Sequence, residues 1–143
     1  MDDYDVLKLE NQLCFPLYAA SRELIKRYKP FLDPLGLTYT QFIVMMALWD
    51  CRKMSVKELG EKLFLDSGTL TPLLKKLEAQ GYITRLRSDE DERVLIVETT
   101  PKGRRLREKA VDVPQQVTCC LKLKPDETQQ LSTLLYTLLG TIE

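Results

Sequence analysis

Histidine is absent from the 143 residues. Its absence excludes imidazole general-base catalysis, histidine metal ligation and both the Ser-His-Asp and Cys-His arrangements. Also missing is an excess of either charge: 21 Lys and Arg cancel 21 Asp and Glu, so the net charge gives no pointer to nucleic acid. Long apolar runs are lacking too. The longest, Phe42 to Trp49, falls far short of the roughly 20 residues that cross a bilayer, so no membrane partner is expected. The chain opens Met1-Asp2-Asp3-Tyr4-Asp5, acidic where a secretory signal is basic, and no apolar segment follows. A cytoplasmic protein with reduced thiols is the expectation.

What is present fits one globular domain spanning 1–143, with 44% hydrophobic and 29% charged residues around a single core. The zero net charge is a sum of unlike parts. Residues 1–51 carry 5 basic and 7 acidic side chains, 52–109 carry 14 and 10, and 110–143 carry 2 and 4. The balances −2, +4 and −2 place a basic middle between acidic ends, an asymmetry that suits a nucleic-acid-facing centre.

That centre has the pattern of a helix-turn-helix over 55–81. Ser55-Val56-Lys57-Glu58 is a capping-box sequence, and Val56, Leu59 and Leu63 form an apolar stripe ending near Phe64. A second helix starts at Asp66 or Ser67, with Leu70, Leu73, Leu74 and Leu77 at helical spacing and Gly81 as its stop. Its other face carries Ser67, Gly68, Thr69, Thr71, Pro72, Lys75 and Lys76. Small hydroxyl residues near a helix start suit base edges and phosphates, and lysines suit the DNA backbone. A β-hairpin over 82–99 follows, in which Tyr82 to Arg87 alternates around Arg85 and Val94 to Val97 returns. Its tip is acidic, from Asp89 to Glu92. There Asp91 is placed to orient Arg93 towards a minor groove.

The remaining segments read as a dimer frame, with helices over about 11–32, 101–121 and 125–143. The pattern resumes after Thr100-Pro101 and runs unbroken towards Cys120. The last helix carries Leu131, Leu134, Leu135, Leu138, Leu139 and Ile142 in a stripe too dense for so small a core to cover. A homodimer is therefore expected, presenting two recognition helices to two half-sites of double-stranded operator DNA. The fold class is mainly α with a small β-wing, a winged helix-turn-helix plus terminal dimerisation helices.

Taken together the sequence resembles the MarR family of winged-helix regulators. Asp91-Glu92-Arg93, Val97, Thr100 and Gly103 match the wing signature in spacing, with Thr99 where leucine is more usual. Residues 9–15, Tyr28-Lys29-Pro30, Leu37-Thr38-Tyr39, 65–73 and 88–94 resemble the organic-hydroperoxide-sensing OhrR branch. The resemblance implies a repressor whose reactive cysteine is Cys14, hydrogen-bonded by Tyr28 and Tyr39, and whose oxidation by an organic hydroperoxide releases DNA. It also implies that Cys119, in the position of the resolving cysteine, closes an intersubunit disulfide with Cys14, with Cys120 as the alternative. No enzyme activity and no cofactor is implied.

The residues support this chemistry. A thiol reacts with peroxide as thiolate, and without histidine the help must come from a helix start and tyrosine hydroxyls. Pro16, tolerated in a first helical turn, sets the helix start at Asn11 to Leu13 and puts Cys14 in that turn, although Pro16 itself departs from the branch pattern. Cys14 and Tyr28 lie 14 residues apart, roughly 21 Å along one helix, so any contact between them is between subunits. Cys51 is expected to be a buried structural thiol. Cys119 and Cys120 lack the companion ligands of a metal site, and adjacent cysteines rarely pair because the ring is strained. A rival reading keeps the MarR fold but has a small phenolic or apolar ligand release the DNA, with Cys14 incidental. A thiol peroxidase would also use a reactive cysteine, but would leave the helix-turn-helix without a purpose.

Overall fold

The computed structural model describes residues 2–141. Two single 3-10 turns, Asp5–Leu7 and Leu9–Asn11, lead into the first long helix, α1 (Cys14–Leu32). The helix begins slightly later than Pro16 alone suggests, because the 3-10 turn up to Asn11 and an extended Gln12 occupy the lead-in. Gly36, at φ +69, turns the chain into α2 (Tyr39–Cys51), which opens on a complete capping box: Thr38 Oγ1 accepts from Gln41 N–H and Gln41 Oε1 accepts from Thr38 N–H. With Phe42, Val44, Met45 and Leu48 all buried, α2 is the central rod of the core. A helix apolar on every side has to be surrounded, and the other helices and the sheet do so.

After α2 comes a short strand, β1 (Lys53–Ser55), then α3 (Val56–Leu63), α4 (Ser67–Ala79), β2 (Ile83–Arg87) and β3 (Leu95–Thr99). The antiparallel sheet has the order β1-β3-β2, with Met54 opposite Val97 and Arg85 opposite the same Val97 on the other side. Ser55 caps α3 by accepting from Glu58 N–H at 3.0 Å. Asp66, the first of the two caps considered, does the same for α4, accepting from Thr69 N–H at 2.7 Å. Gly81, at φ +84, takes the left-handed conformation that ends the turn into β2.

Three expectations are corrected here. The wing is a three-stranded sheet, since β1 joins the hairpin. The helix expected to run unbroken from 102 towards 120 is two helices, α5 (Pro101–Ala110) and α6 (Val113–Thr118). Pro114 cannot donate to Ala110, so it starts a new helix instead of continuing the old one. Cys51 is exposed, not buried: it ends α2 on the solvent side, its Sγ 3.8 Å from Asp50 and 4.0 Å from Lys62 Nζ. The last helix is α7 (Pro125–Thr141), on which Leu131 and Leu134 are exposed; Ile142 lies outside the described residues. Among the described residues no single helix is long and apolar enough to cross a membrane.

Candidate DNA interface and redox site

The two reading elements are built on the buried face of α4. Leu70, Leu74 and Leu77 pack into the core at 1% exposure or less, which turns Ser67, Gly68, Thr69, Pro72, Lys75 and Lys76 outward, with Thr71 half-buried. Pro72 has no N–H, so the Gly68 carbonyl loses its helical partner, and the hydroxyls of the first turn stand beside an open helix end. The hydrogen bond from Thr69 N–H holds the Asp66 carboxyl below the usual carboxylate range, so the cap is ionised at neutral pH.

On the wing, Asp91 grips Arg93 three times: it accepts from the backbone N–H at 3.0 Å, from Nε at 3.1 Å and from a terminal nitrogen at 3.2 Å. These bonds hold the Asp91 carboxyl low while the Arg93 side chain stays 90% exposed. The guanidinium is thus held in solvent at the wing tip by Asp91. Arg85 is placed differently. Its guanidinium pairs with Glu78 at 3.0 Å and its N–H donates to the same carboxylate at 3.2 Å, while Nε finds no acceptor among the described residues. Glu78, held low in pKa by the Arg85 hydrogen bond, ties the end of α4 to β2.

The residues expected to form a redox site split between the two ends of α1. Cys14 is exposed at the start of the helix. Tyr28 lies 14 residues further on, and its ring meets that of Tyr39 at 4.8 Å between centroids, tilted by 55°. Phe42 backs Tyr28 at 6.1 Å. The tyrosines line a cleft of about 260 Å³ with Ile25, Leu32, Leu37 and Thr38. Burial raises the pKa of Tyr28, with a further push from Tyr39, and burial raises that of Tyr39, so both are neutral phenols able to donate. The structure therefore brings Tyr28 and Tyr39 together and leaves Cys14 of the same chain about 21 Å away.

Cys119 closes α6 and Cys120 follows it in the turn, both exposed. Their sulfurs are 3.5 Å apart and hydrogen-bonded, and Cys119 also donates to the Gln116 carbonyl at 3.4 Å. The bond to Cys120 pushes the Cys119 thiol up, which makes it a poor first target for peroxide.

Comparison with known proteins supplies the family. The transcriptional regulators SarA/Rot match residues 26–110. The organic hydroperoxide resistance transcriptional regulator of Bacillus subtilis is 52% identical over 139 residues, 97% of this chain and 95% of its own. The chain belongs to the MarR family of winged-helix transcriptional regulators. Among solved structures, reduced AbfR bound to DNA superposes with a TM-score of 0.83 at 32% identity, covering 98% of this chain and 96% of that one; AbfR comes from Staphylococcus epidermidis. The disulfide form of AbfR superposes less closely, with a TM-score of 0.65 at 35% identity over 93% of each chain.

Within this MarR-type frame, the sequence did not single out Glu78, and no local rule flags it. Its partner Arg85 is seven residues away across a turn, and only the packed fold joins them. The MarR wing signature, by contrast, covers residues with visible tasks. Thr100 caps α5 by accepting from Gly103 N–H, and Gly103 accepts from Trp49 Nε1 at 2.8 Å.

Proposed function

We propose that this MarR-family regulator is a homodimeric cytoplasmic repressor that senses organic hydroperoxides through Cys14 and releases operator DNA when that thiol is oxidised. The observation that carries the reading is the separation along α1. Two neutral tyrosines meet at a cleft at one end, and an exposed thiol stands at the other. In an antiparallel pair of α1 helices, each cleft receives the Cys14 of the other protomer, and two phenol O–H groups face the sulfur. Exposed Phe15, Leu17, Tyr18 and Ile25 along α1 supply apolar surface for that pairing, and Leu131, Leu134 and Tyr136 on α7 extend it.

The chemistry balances in two steps. The Cys14 thiol takes oxygen from the hydroperoxide, giving a sulfenic acid and an alcohol. The sulfenic acid then condenses with the Cys119 thiol of the other protomer, losing water and forming a disulfide. DNA is held by the outward face of α4, with Lys75 and Lys76 on phosphates and Ser67, Thr69 and Thr71 near base edges, while Arg93, aimed by Asp91, enters the minor groove. Arg85 serves DNA binding by fixing the wing to α4 through Glu78. AbfR has been solved on DNA in its reduced form and separately in a disulfide form, which supports a redox-linked reading for this relative of it.

The deciding experiment is an operator mobility shift with stoichiometric cumene hydroperoxide. Wild type is released and Cys14→Ser stays bound. Release that persists in Cys14→Ser overturns the reading.

A further inference from the structure

The adjacent thiols of Cys119 and Cys120 do more than a single resolving cysteine requires. One thiol suffices to condense with a sulfenic acid, yet two stand exposed with sulfurs 3.5 Å apart, held by a mutual hydrogen bond and by the Gln116 carbonyl. They do not form a disulfide with each other. Consecutive Cα atoms are about 3.8 Å apart, shorter than the roughly 4.4–6.8 Å a relaxed disulfide spans, so direct pairing is strained. A bridging atom removes that strain. An ion bound at about 2.3 Å from each of two thiolates at tetrahedral angles spans sulfurs roughly 3.7 Å apart, close to the spacing already present. No group of three or more potential ligands occurs among the described residues, so a four-coordinate metal is not completed here.

We propose that Cys119 and Cys120 form a two-thiol chelate for soft thiophiles that need only two sulfurs, specifically trivalent organoarsenicals. The reaction is a condensation without redox change: an arsenoxide, R–As=O, takes both thiol protons, loses its oxygen as water and forms two As–S bonds. Arsenic remains trivalent and its third valence stays on carbon, so the site is complete within one chain. The Cys119–Cys120 turn is the only place among the described residues where two thiols are adjacent in sequence, while Cys14 and Cys51 stand apart at the start of α1 and the end of α2. A consequence that rests on the proposed function is that occupancy removes both candidate resolving thiols. The peroxide-treated protein then fails to form a covalent dimer, and Cys14 oxidises further along the sulfur ladder.

The test uses the full-length reduced protein and phenylarsine oxide at one equivalent, read by intact mass in the presence of excess monothiol. Wild type and Cys14→Ser are expected to retain one phenylarsenic group per chain, with release by a 1,2-dithiol. Cys119→Ser and Cys120→Ser each lose retention by at least tenfold. Retention that survives either serine variant, or is lost in Cys14→Ser, overturns the chelate. The gel arm separates the two ideas. If the arsenical binds as expected but covalent dimers still form, the chelate stands and the resolving role of the pair falls.

Discussion

The tyrosine pair is where a single side chain has the most leverage. Tyr28 and Tyr39 touch each other, are partly buried and are neutral at physiological pH, so under the proposed function each has one phenol hydrogen to offer an oxidising sulfur. A hydrogen bond of this kind contributes about 1 kcal/mol, or roughly fivefold in rate. Tyr28→Phe and Tyr39→Phe are each expected to slow sulfenic acid formation at Cys14 by about that factor, measured by rapid trapping with a sulfenic-acid reagent, while the reduced variants bind operator as wild type does. The same burial sets a pH dependence. Both folded-state values lie above the ordinary 10.0, so the folded protein holds phenol protons that the unfolded chain gives up. Stability from this source is full below about pH 10 and is lost as pH rises through the folded values. Urea midpoints should fall from pH 10 upward, and the double phenylalanine variant should fall less; an equal fall places the titration elsewhere. Sequence spacing alone separates Cys14 from Tyr28, since 14 helical residues is a length. The packing of Tyr39 on Tyr28 is a contact across the Gly36 turn and carries no periodic signal.

At the scale of elements, what could be read ahead was what is local. Ser55, Asp66 and Gly81 mark the ends of α3 and α4 because caps act within three residues, and the hairpin shows its period of two. β1 has three residues and exists only because Met54 sits across from Val97, some forty residues later, so no local pattern announces it. The break between α5 and α6 was legible in Pro114 but masked by helical spacing on both sides. Exposure of Cys51 depends on which side of α2 the rest of the fold covers. The tightest joint between elements is at Gly103. A β-carbon there would sit 2.2 Å from the Tyr82 carbonyl oxygen and 3.3 Å from Met45. Because Gly103 also accepts from Trp49, α5 cannot back away without breaking that bond. Gly103→Ala is expected to cost about 2–3 kcal/mol, the upper part of the overpacking range. At roughly 4 °C per kcal/mol for a chain of this size, Tm should fall by about 8–12 °C in thermal unfolding. A change under about 2 °C would mean that Tyr82 yields freely.

For the whole molecule, the charge distribution and the uncovered apolar faces belong to one design. A surplus of only four positive charges in 52–109 gives one chain little electrostatic hold on DNA, and the proposed dimer would add a second copy at a fixed spacing. The surface that would hold them is visible: Leu134 is 66% exposed and Tyr136 73% on α7. Placing an arginine at Leu134 puts two charges in the proposed interface without touching the α2 core, so Leu134→Arg is expected to remain folded by circular dichroism but to run as a monomer in light scattering. Salt dependence then reports the consequence for DNA. Each phosphate contact lowers the slope of log K against log salt by about 0.9, so Lys75→Ala in the dimer should flatten the slope by roughly 2, one contact per protomer. Leu134→Arg should halve the slope outright, because each binding event then brings one α4 and one wing. If Leu134→Arg remains dimeric while its operator affinity is unchanged, the subunits meet through another face, and α1 with its exposed Phe15, Leu17 and Tyr18 is the surface to substitute next.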